Sequence, residues 1–334
     1  MASIQQMSTN NHKKPTGFIG LLEQVPTPLG GLALSIAGLG AAWAQVIPAL
    51  ATPLELITAL TATVLILKII LKFLFHPQLI KKELTHPVIG SVMPASMMAT
   101  MVISSSLLPW LGEFAKVLWL AATICHIILF MIFAYYRARE FQLEHMVPSW
   151  FIPSVGIIVA TVTSQGMGHD QWAYSLFIFG LTCYFIKLPA MLYRLIFRDV
   201  LPVTALPTFA IMAAPASLSL AGYLTISKYP NPLLILILAQ IAIFMTFLVY
   251  LAFLRLLRLP FSPGYAAFTF PMVIGATALI KLTIWLQTEQ HLWLAELVKH
   301  LSHIELVVAT VMVVYVALHY FFFYLLKPLF RKKH

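Results

Sequence analysis

The chain has 334 residues, of which 60% are hydrophobic and 10% are charged, and its formal net charge is +10. A soluble protein of this length cannot bury so many apolar side chains, because most of its surface would have to be nonpolar. The composition therefore excludes a soluble globular domain and predicts an all-α integral membrane protein with several spans.

The N-terminal segment, residues 1–26, is polar at its start and precedes the first long apolar run. It has no short apolar core followed by a small-residue cleavage site, so we expect a cytoplasmic tail and no removable signal peptide. Cys125 and Cys183 lie in apolar segments without a CxxC or Cys/His spacing, so neither a disulfide framework nor a metal site is expected. No phosphate-binding loop or catalytic grouping is recognisable, so we predict neither enzymatic activity nor a cofactor.

Apolar runs long enough to cross a bilayer follow in chain order. We place ten predicted spans at 27–46, 52–73, 86–109, 114–136, 149–166, 170–193, 205–227, 231–256, 263–287 and 304–326. Residues 327–334 form a basic C-terminal tail. The amphipathic segment 291–303, before the tenth span, is expected to lie on the outer face of the membrane.

The basic residues cluster in alternate loops. They occupy both tails and the loops after spans two, four, six and eight, whereas the other loops contain only Lys116, Lys228 and Lys299. Loops rich in Lys and Arg stay in the cytoplasm, so both termini are predicted to be cytoplasmic, in a bacterial inner membrane. This orientation signal accounts for most of the net charge, and no nucleic-acid partner is expected.

The odd-numbered and even-numbered spans differ in composition. The odd spans are rich in Gly, Ala, Ser and Thr, and each contains proline at intervals of roughly 60 residues, the length of one helical hairpin. The even spans are bulky and mostly free of proline. Small residues allow close packing, and helices broken by proline need partners inside the protein. We therefore predict five helical hairpins, with the odd helices in an inner ring around a pore and the even helices in an outer ring.

A packed core of small-residue helices without a conduit is the alternative. If the pore exists, the residues expected at its kinks or on its lining are Gly30, Gly31, Pro94, Pro153, Gly156, Pro215, Pro271, Gly275 and Thr277.

The ninth span contains FTFPMVIGATALIK, residues 268–281, and it alone among the odd spans places rings close to mid-membrane. At about 100° per residue, Phe268 and Phe270 point to nearly opposite sides of a helix. Phe270 is predicted to gate the pore; the alternative is that it fills a gap in the core. Lys281, about 16 Å further along the helix, is predicted to attract anions, unless its ammonium group only reaches for the outer interface.

No Asp or Glu lies in the middle of a predicted span, and Glu305 falls near the outer end of the tenth. His126 and His319 are the mid-span titratable candidates, and both are expected to be packing residues. The missing carboxylates argue against a cation pathway or a carboxylate proton relay.

Five segments of the chain, in order TPLGGLALSIAGLGAAW, HPVIGSVMPASMM, VPSWFIPSVGIIVA, LPTFAIMAAPASLSLAGY and FTFPMVIGATALIK, carry a family resemblance. Together they resemble the tellurite-resistance/dicarboxylate transporter family, which includes bacterial TehA proteins and plant slow anion channels. The resemblance implies a homotrimer in lipid, with one pore per protomer and a phenylalanine on the ninth helix that occludes it, at the position of Phe270. Pro271 is closer to the plant channels, because TehA has glycine there.

Two functions remain open from the residues. A gated channel for small inorganic or organic anions fits a pore without tight fixed-charge sites. A proton-coupled carrier for malate or a related dicarboxylate, for sulfite or for a tellurite-related solute would need a titratable group in the path.

Overall fold

The computed structural model describes residues 18–326, and side chains over 19–324. The predicted C-terminal tail and most of the N-terminal tail lie outside this range. Within it the chain is helical and has no β-strand. The α-helices are α1 Phe18–Glu23, α2 Leu29–Val46, α3 Ala51–Phe75, α4 Gln78–Thr85, α5 Ile89–Val92, α6 Ala95–Leu111, α7 Glu113–Arg139, α8 Phe151–Val155, α9 Ile158–Val162, α10 Asp170–Phe197, α11 Ala214–Ile226, α12 Pro232–Leu256, α13 Phe270–Thr288 and α14 Leu292–Phe321.

Nine helical stretches of the described chain are long and apolar enough to cross a membrane. They correspond to nine of the ten predicted spans: Leu29–Val46, Pro48–Phe75, Ile89–Leu111, Glu113–Arg139, Asp170–Phe197, Leu206–Ile226, Pro232–Leu256, Pro263–Thr288 and Leu292–Tyr324. The structure thus confirms a helical membrane protein, while the count of ten spans stays a prediction.

The predicted fifth span, 149–166, is broken into short pieces. A 3-10 turn at Pro148–Trp150 leads into α8, and two turn residues separate α8 from α9. Pro148 and Pro153 have no N–H to donate, and Gly156 approaches Met98 of α6 so closely that a Cβ would lie 2.7 Å from its sulfur. The segment is buried almost throughout, so broken backbone lies inside the protein, as the proline argument requires.

Burial separates the two sets of spans. Between 61% and 78% of the residues are buried in the stretches matching predicted spans one, three, seven and nine, against 22% to 39% in the stretches matching the even spans. The odd segments are therefore the inner ones and the even segments the outer ones. The arrangement as five hairpins in a ring stays a prediction.

Proline marks the points where the inner segments change conformation. Pro94 separates α5 from α6, and Pro215 and Pro271 stand in the first turns of α11 and α13, each after a 3-10 segment. A proline in the first helical turn sacrifices no intrahelical hydrogen bond, because the N–H groups there have no partner within the helix. The prolines therefore start the long inner helices partway through the protein.

The last helix is longer than its apolar run predicts. α14 begins at Leu292, directly after a turn in which Gln290 has a φ of 61°, and it continues without interruption to Phe321. The amphipathic segment 291–303 is therefore the start of this helix, and the predicted boundary at 304 is wrong. Glu305 consequently lies well inside the helix, because helix length depends on backbone hydrogen bonding and extends past the apolar residues.

Candidate permeation site

A cavity of about 620 Å³ lies among the inner segments. Every one of the five odd segments contributes to its wall: Gly31 from α2, Met98 from α6, Val155 from α8, Pro215 from α11 and Phe270 from α13. The wall also includes residues of the loop after α3, which carries the basic residues of the second predicted cytoplasmic loop. The cavity therefore reaches the face on which the basic loops lie.

Four long helices begin at this cavity. Gly31, Ala95, Ala214 and Phe270, from the first turns of α2, α6, α11 and α13, are all part of its wall. The first N–H groups of a helix lack intrahelical partners, and the helix dipole makes this end partly positive. Four such ends around one cavity favour an anion over a cation without a fixed charge.

The charged side chains on the cavity wall include a neutralised pair. Lys72 donates to Glu83, with 2.5 Å between Nζ and Oε1, and also to the hydroxyl of Thr27 at 3.0 Å; Thr27 in turn donates to Glu83. Lys72 is only 2% exposed. The lysine is therefore held by its own counter-ion, and the pair adds little net charge to the cavity.

His86 lies beside this pair, in the turn just before α5. Its Nδ1 accepts hydrogen bonds from the backbone N–H groups of Val88 and Ile89, both at 3.2 Å. Partial burial lowers the pKa of His86, and the nearby Arg137 guanidinium lowers it further. The ring is therefore neutral near neutral pH, as an acceptor Nδ1 requires, and its cationic form appears only in acid.

The two rings at the start of the ninth span have different surroundings. Phe268 is fully buried and packs against Tyr265 and Phe253, with ring centroids 4.7 and 5.4 Å apart. Phe270 is half-buried and lines the cavity. Phe270 and Pro271, the first two residues of α13, line the cavity, and the later residues of this helix do not. Phe268 ends the 3-10 segment Pro263–Phe268 and Phe270 begins α13, so one ring belongs to the core and the other to the cavity wall. That the two rings point in opposite directions stays a prediction.

The sequence can now be placed among known proteins. Residues 25–321 match the SLAC1 family, described as voltage-dependent anion channels. The chain belongs to this family. The resemblance to TehA and plant slow anion channels is thereby confirmed, and SLAC1 family members are channels or transporters and not enzymes.

Two uncharacterized transporters of Methanocaldococcus jannaschii are also similar. MJ0762 is 26% identical over 165 residues, covering 44% of this chain and 47% of that protein. MJ0576 is 24% identical over 156 residues, covering 40% of this chain and 42% of that protein. The chain thus matches less than half of the length of either relative, and neither name specifies a transported solute.

The remaining predicted lining residues divide into two groups in this SLAC1 family member. Gly31, Gly156, Pro215 and Pro271 line the cavity together with Phe270. Gly30, Pro94, Pro153, Gly275 and Thr277 are not part of its wall. A role for the second group in a pore beyond the cavity stays a prediction.

Members of the second group contact neighbouring segments. Gly30 lies against Ser96, whose backbone nitrogen would be 3.0 Å from a Cβ at Gly30. The hydroxyl of Thr277 donates to the carbonyl of Val273 in the same helix, at 2.9 Å. Gly275 lies against the carboxyl group of Glu305. These positions join α2 to α6 and α13 to α14.

Lys281 lies further along α13, outside the cavity wall. Its side chain is half-buried and takes part in none of the ion pairs of the described chain. Whether it attracts anions stays a prediction.

Polar side chains from outer helices bind the broken fifth segment. His126 of α7 hydrogen-bonds the carbonyl of Pro153 at 3.0 Å. Lys187 of α10 donates to Ser154 at 2.7 Å and to the carbonyl of Trp150 at 3.3 Å. Carbonyl groups released by the break are thus satisfied by protein. His126 is fully buried and serves packing and hydrogen bonding, as expected.

Sequence reasoning missed two features of the site. The Lys72–Glu83–Thr27 cluster joins residues from three elements, although a lysine in the last turn of an apolar helix was a visible signal. The burial of Glu305 against Gly275 was the other, because the start of α14 was drawn at the edge of the apolar run.

Proposed function

We propose that the protein is a gated anion channel whose path runs through the cavity and is closed at Phe270. The observation that carries the proposal is the position of Phe270. It is an aromatic side chain on the wall of a cavity to which all five inner segments contribute, at the point where α13 begins. Beyond it, α13 is buried on nearly all sides. A phenyl ring can leave the axis by rotating, since no covalent or ionic bond holds it.

The substrate class follows from the cavity wall. The helix N-termini of α2, α6, α11 and α13 attract anions, whereas the paired Lys72 and Glu83 offer no strong fixed site. Weak attraction suits rapid passage, because an anion must leave as readily as it enters. We therefore propose small inorganic or organic anions as the permeant solutes.

The assembly and location belong to the same proposal. The family resemblance supports a homotrimer with one pore in each protomer, and the loop charges support an inner membrane with cytoplasmic termini. In that orientation the cavity faces the cytoplasm, and anions reach Phe270 from that side.

A proton-coupled anion carrier is the second candidate, favoured by one observation. Glu305 is a titratable carboxyl group buried inside the protein, 7% exposed, although it lies outside the cavity wall. Current recorded across a planar bilayer under an anion gradient separates the two. A channel gives current that reverses at the anion equilibrium potential at every pH gradient, and a carrier gives electroneutral uptake that is driven by the pH gradient.

Replacing the ring is the direct test of the gate. We expect Phe270→Ala to raise chloride flux from proteoliposomes severalfold, because it removes the side chain that limits the path. The matched control is Phe244→Ala, which removes a ring that is 56% exposed on α12, away from the cavity. Unchanged flux in folded Phe270→Ala protein, or an equal rise in both variants, would exclude the gate.

A further inference from the structure

Glu305 is a buried acidic residue that lies outside the cavity wall and outside every ion pair of the described residues. It lies about 20 Å along α14 from Leu292, and 7% of its surface is exposed. Its Oε1 has no hydrogen-bond partner among the described residues, and it belongs to none of the ion pairs there. An ionisable residue in such a position in a membrane protein calls for a functional explanation.

The carboxyl group lies directly on the backbone of the helix that carries Phe270. A Cβ at Gly275 would overlap Oε1 and would lie 2.8 Å from Cδ and 3.4 Å from Oε2 of Glu305. The glycine therefore makes room for the carboxyl group. Gly275 follows Phe270 by five residues, about 7–8 Å along α13. A change in the carboxyl group thus acts on α13 within two turns of the ring.

The elements packed against α14 offer few charges to Glu305. α2 contains no titratable residue, and the only one in α13 is Lys281, about 120° around the helix from Gly275. The segment Pro263–Phe268 contributes Tyr265, which packs against Tyr315 and His319 of α14 itself. On α12, Tyr250 has a buried hydroxyl that also lacks a partner among the described residues. No cation of the described chain is paired with Glu305.

An ionised carboxylate is very costly in apolar surroundings without a partner, so such a group takes up a proton instead. The neutral carboxyl fits the packed arrangement of α13 and α14. Ionisation requires water or a cation to reach the group, and this requires the two helices to separate at Gly275. The two protonation states therefore favour two different positions of α13.

We propose that Glu305 is a proton-binding site that holds α14 against α13 and so favours the closed position of Phe270. Release of the proton favours separation of the helices and opening. The proposal rests on the gate proposed at Phe270. It predicts how the size of the anion flux changes with pH. Flux is low while Glu305 is protonated and rises as the pH is raised through its titration.

Infrared spectroscopy of the purified protein tests proton binding independently of transport. The wild type should show a carbonyl stretch of a protonated carboxylic acid that disappears at high pH, and Glu305→Gln should lack it. Glu289→Gln, which changes an exposed glutamate of the same hairpin, should retain it. A spectrum of Glu305→Gln identical to that of the wild type at every pH would overturn the proposal.

Chloride flux from proteoliposomes tests the coupling. Wild-type flux should rise with pH, and Glu305→Gln should show low flux without pH dependence. Adding Phe270→Ala to Glu305→Gln should restore high flux that does not vary with pH, which shows that the variant is folded. A wild-type pH profile in Glu305→Gln would overturn the coupling. Absence of chloride flux in every protein, with the infrared band present, would count against the channel and leave the proton site standing.

Discussion

Lys72 and Glu83 form an ion pair that is almost entirely removed from water. The exposed fractions of their side chains are 3% and 13%. Thr27 contacts both residues, so the pair joins the end of α3, the helix α4 and the start of α2. Two charges in such surroundings are tolerated only together, because each compensates for the water that the other has lost.

Removing one member of the pair should therefore be costly. We expect Lys72→Met to lower the free energy of unfolding by about 3–5 kcal/mol, since Glu83 is left buried without a counter-ion. Thermal unfolding of the detergent-solubilised protein provides the measurement. The control is Lys116→Met, which breaks the exposed pair with Glu113, with exposed fractions of 33% and 84%, and should cost no more than about 1 kcal/mol. Equal losses in the two variants would mean that burial does not determine the strength of the Lys72 pair.

At the level of elements, close approach of the inner helices depends on individual glycines. A Cβ at Gly30 would overlap the hydroxyl of Ser96 and lie 3.2 Å from its Cα. The same atom at Gly31 would make an ordinary contact with Ala266, at 3.7 Å. Adjacent residues of α2 thus face α6 in one direction and the start of the ninth span in the other.

This difference predicts that two neighbouring substitutions affect stability differently. Gly30→Ala should destabilise the protein by about 1–3 kcal/mol, because α2 and α6 must move apart to admit the methyl group. Gly31→Ala should leave the unfolding temperature nearly unchanged. Both variants have the same added volume and the same gain in helix propensity, so they control for each other. A tolerated Gly30→Ala would mean that Ser96 yields without displacing α6.

For the whole molecule, the orientation in the membrane determines which solution the cavity faces. After replacement of Cys125 and Cys183 by alanine, single cysteines can be introduced by Gln142→Cys, near the basic residues after α7, and by Tyr229→Cys, which is 93% exposed in the loop before α12. We expect an impermeant maleimide to label intact cells only at position 229, because Lys- and Arg-rich loops stay in the cytoplasm. Labelling of intact cells only at position 142 would invert the predicted topology and place the cavity outside.

Much of this architecture is predictable from the order of residues. Hydropathy and length identify nine of the spans, since a bilayer imposes both on a spanning helix. The contrast between segments of small residues with proline and segments of bulky residues identifies which segments are buried. The helical period predicts different surroundings for Phe268 and Phe270, and the structure has the first in the core and the second on the cavity wall. Each of these properties is local, and each is imposed by the lipid or by the backbone.

Other features depend on contacts between residues far apart in the chain. The fifth segment breaks at Gly156, which packs against Met98. His126 and Lys187 bind the carbonyl groups that the break releases. From the sequence alone, Lys72 counts as an exposed charge. In the structure it is buried and paired with Glu83 and Thr27. Glu305 is buried because α14 packs against α13 and because Gly275 leaves room for a carboxyl group. Sequence by itself determined the class of protein, the inner and outer segments and the candidate gate residue, Phe270. Only the tertiary structure decided which charges are paired, which segment is broken and which acid is buried, because burial and pairing are properties of neighbours in space.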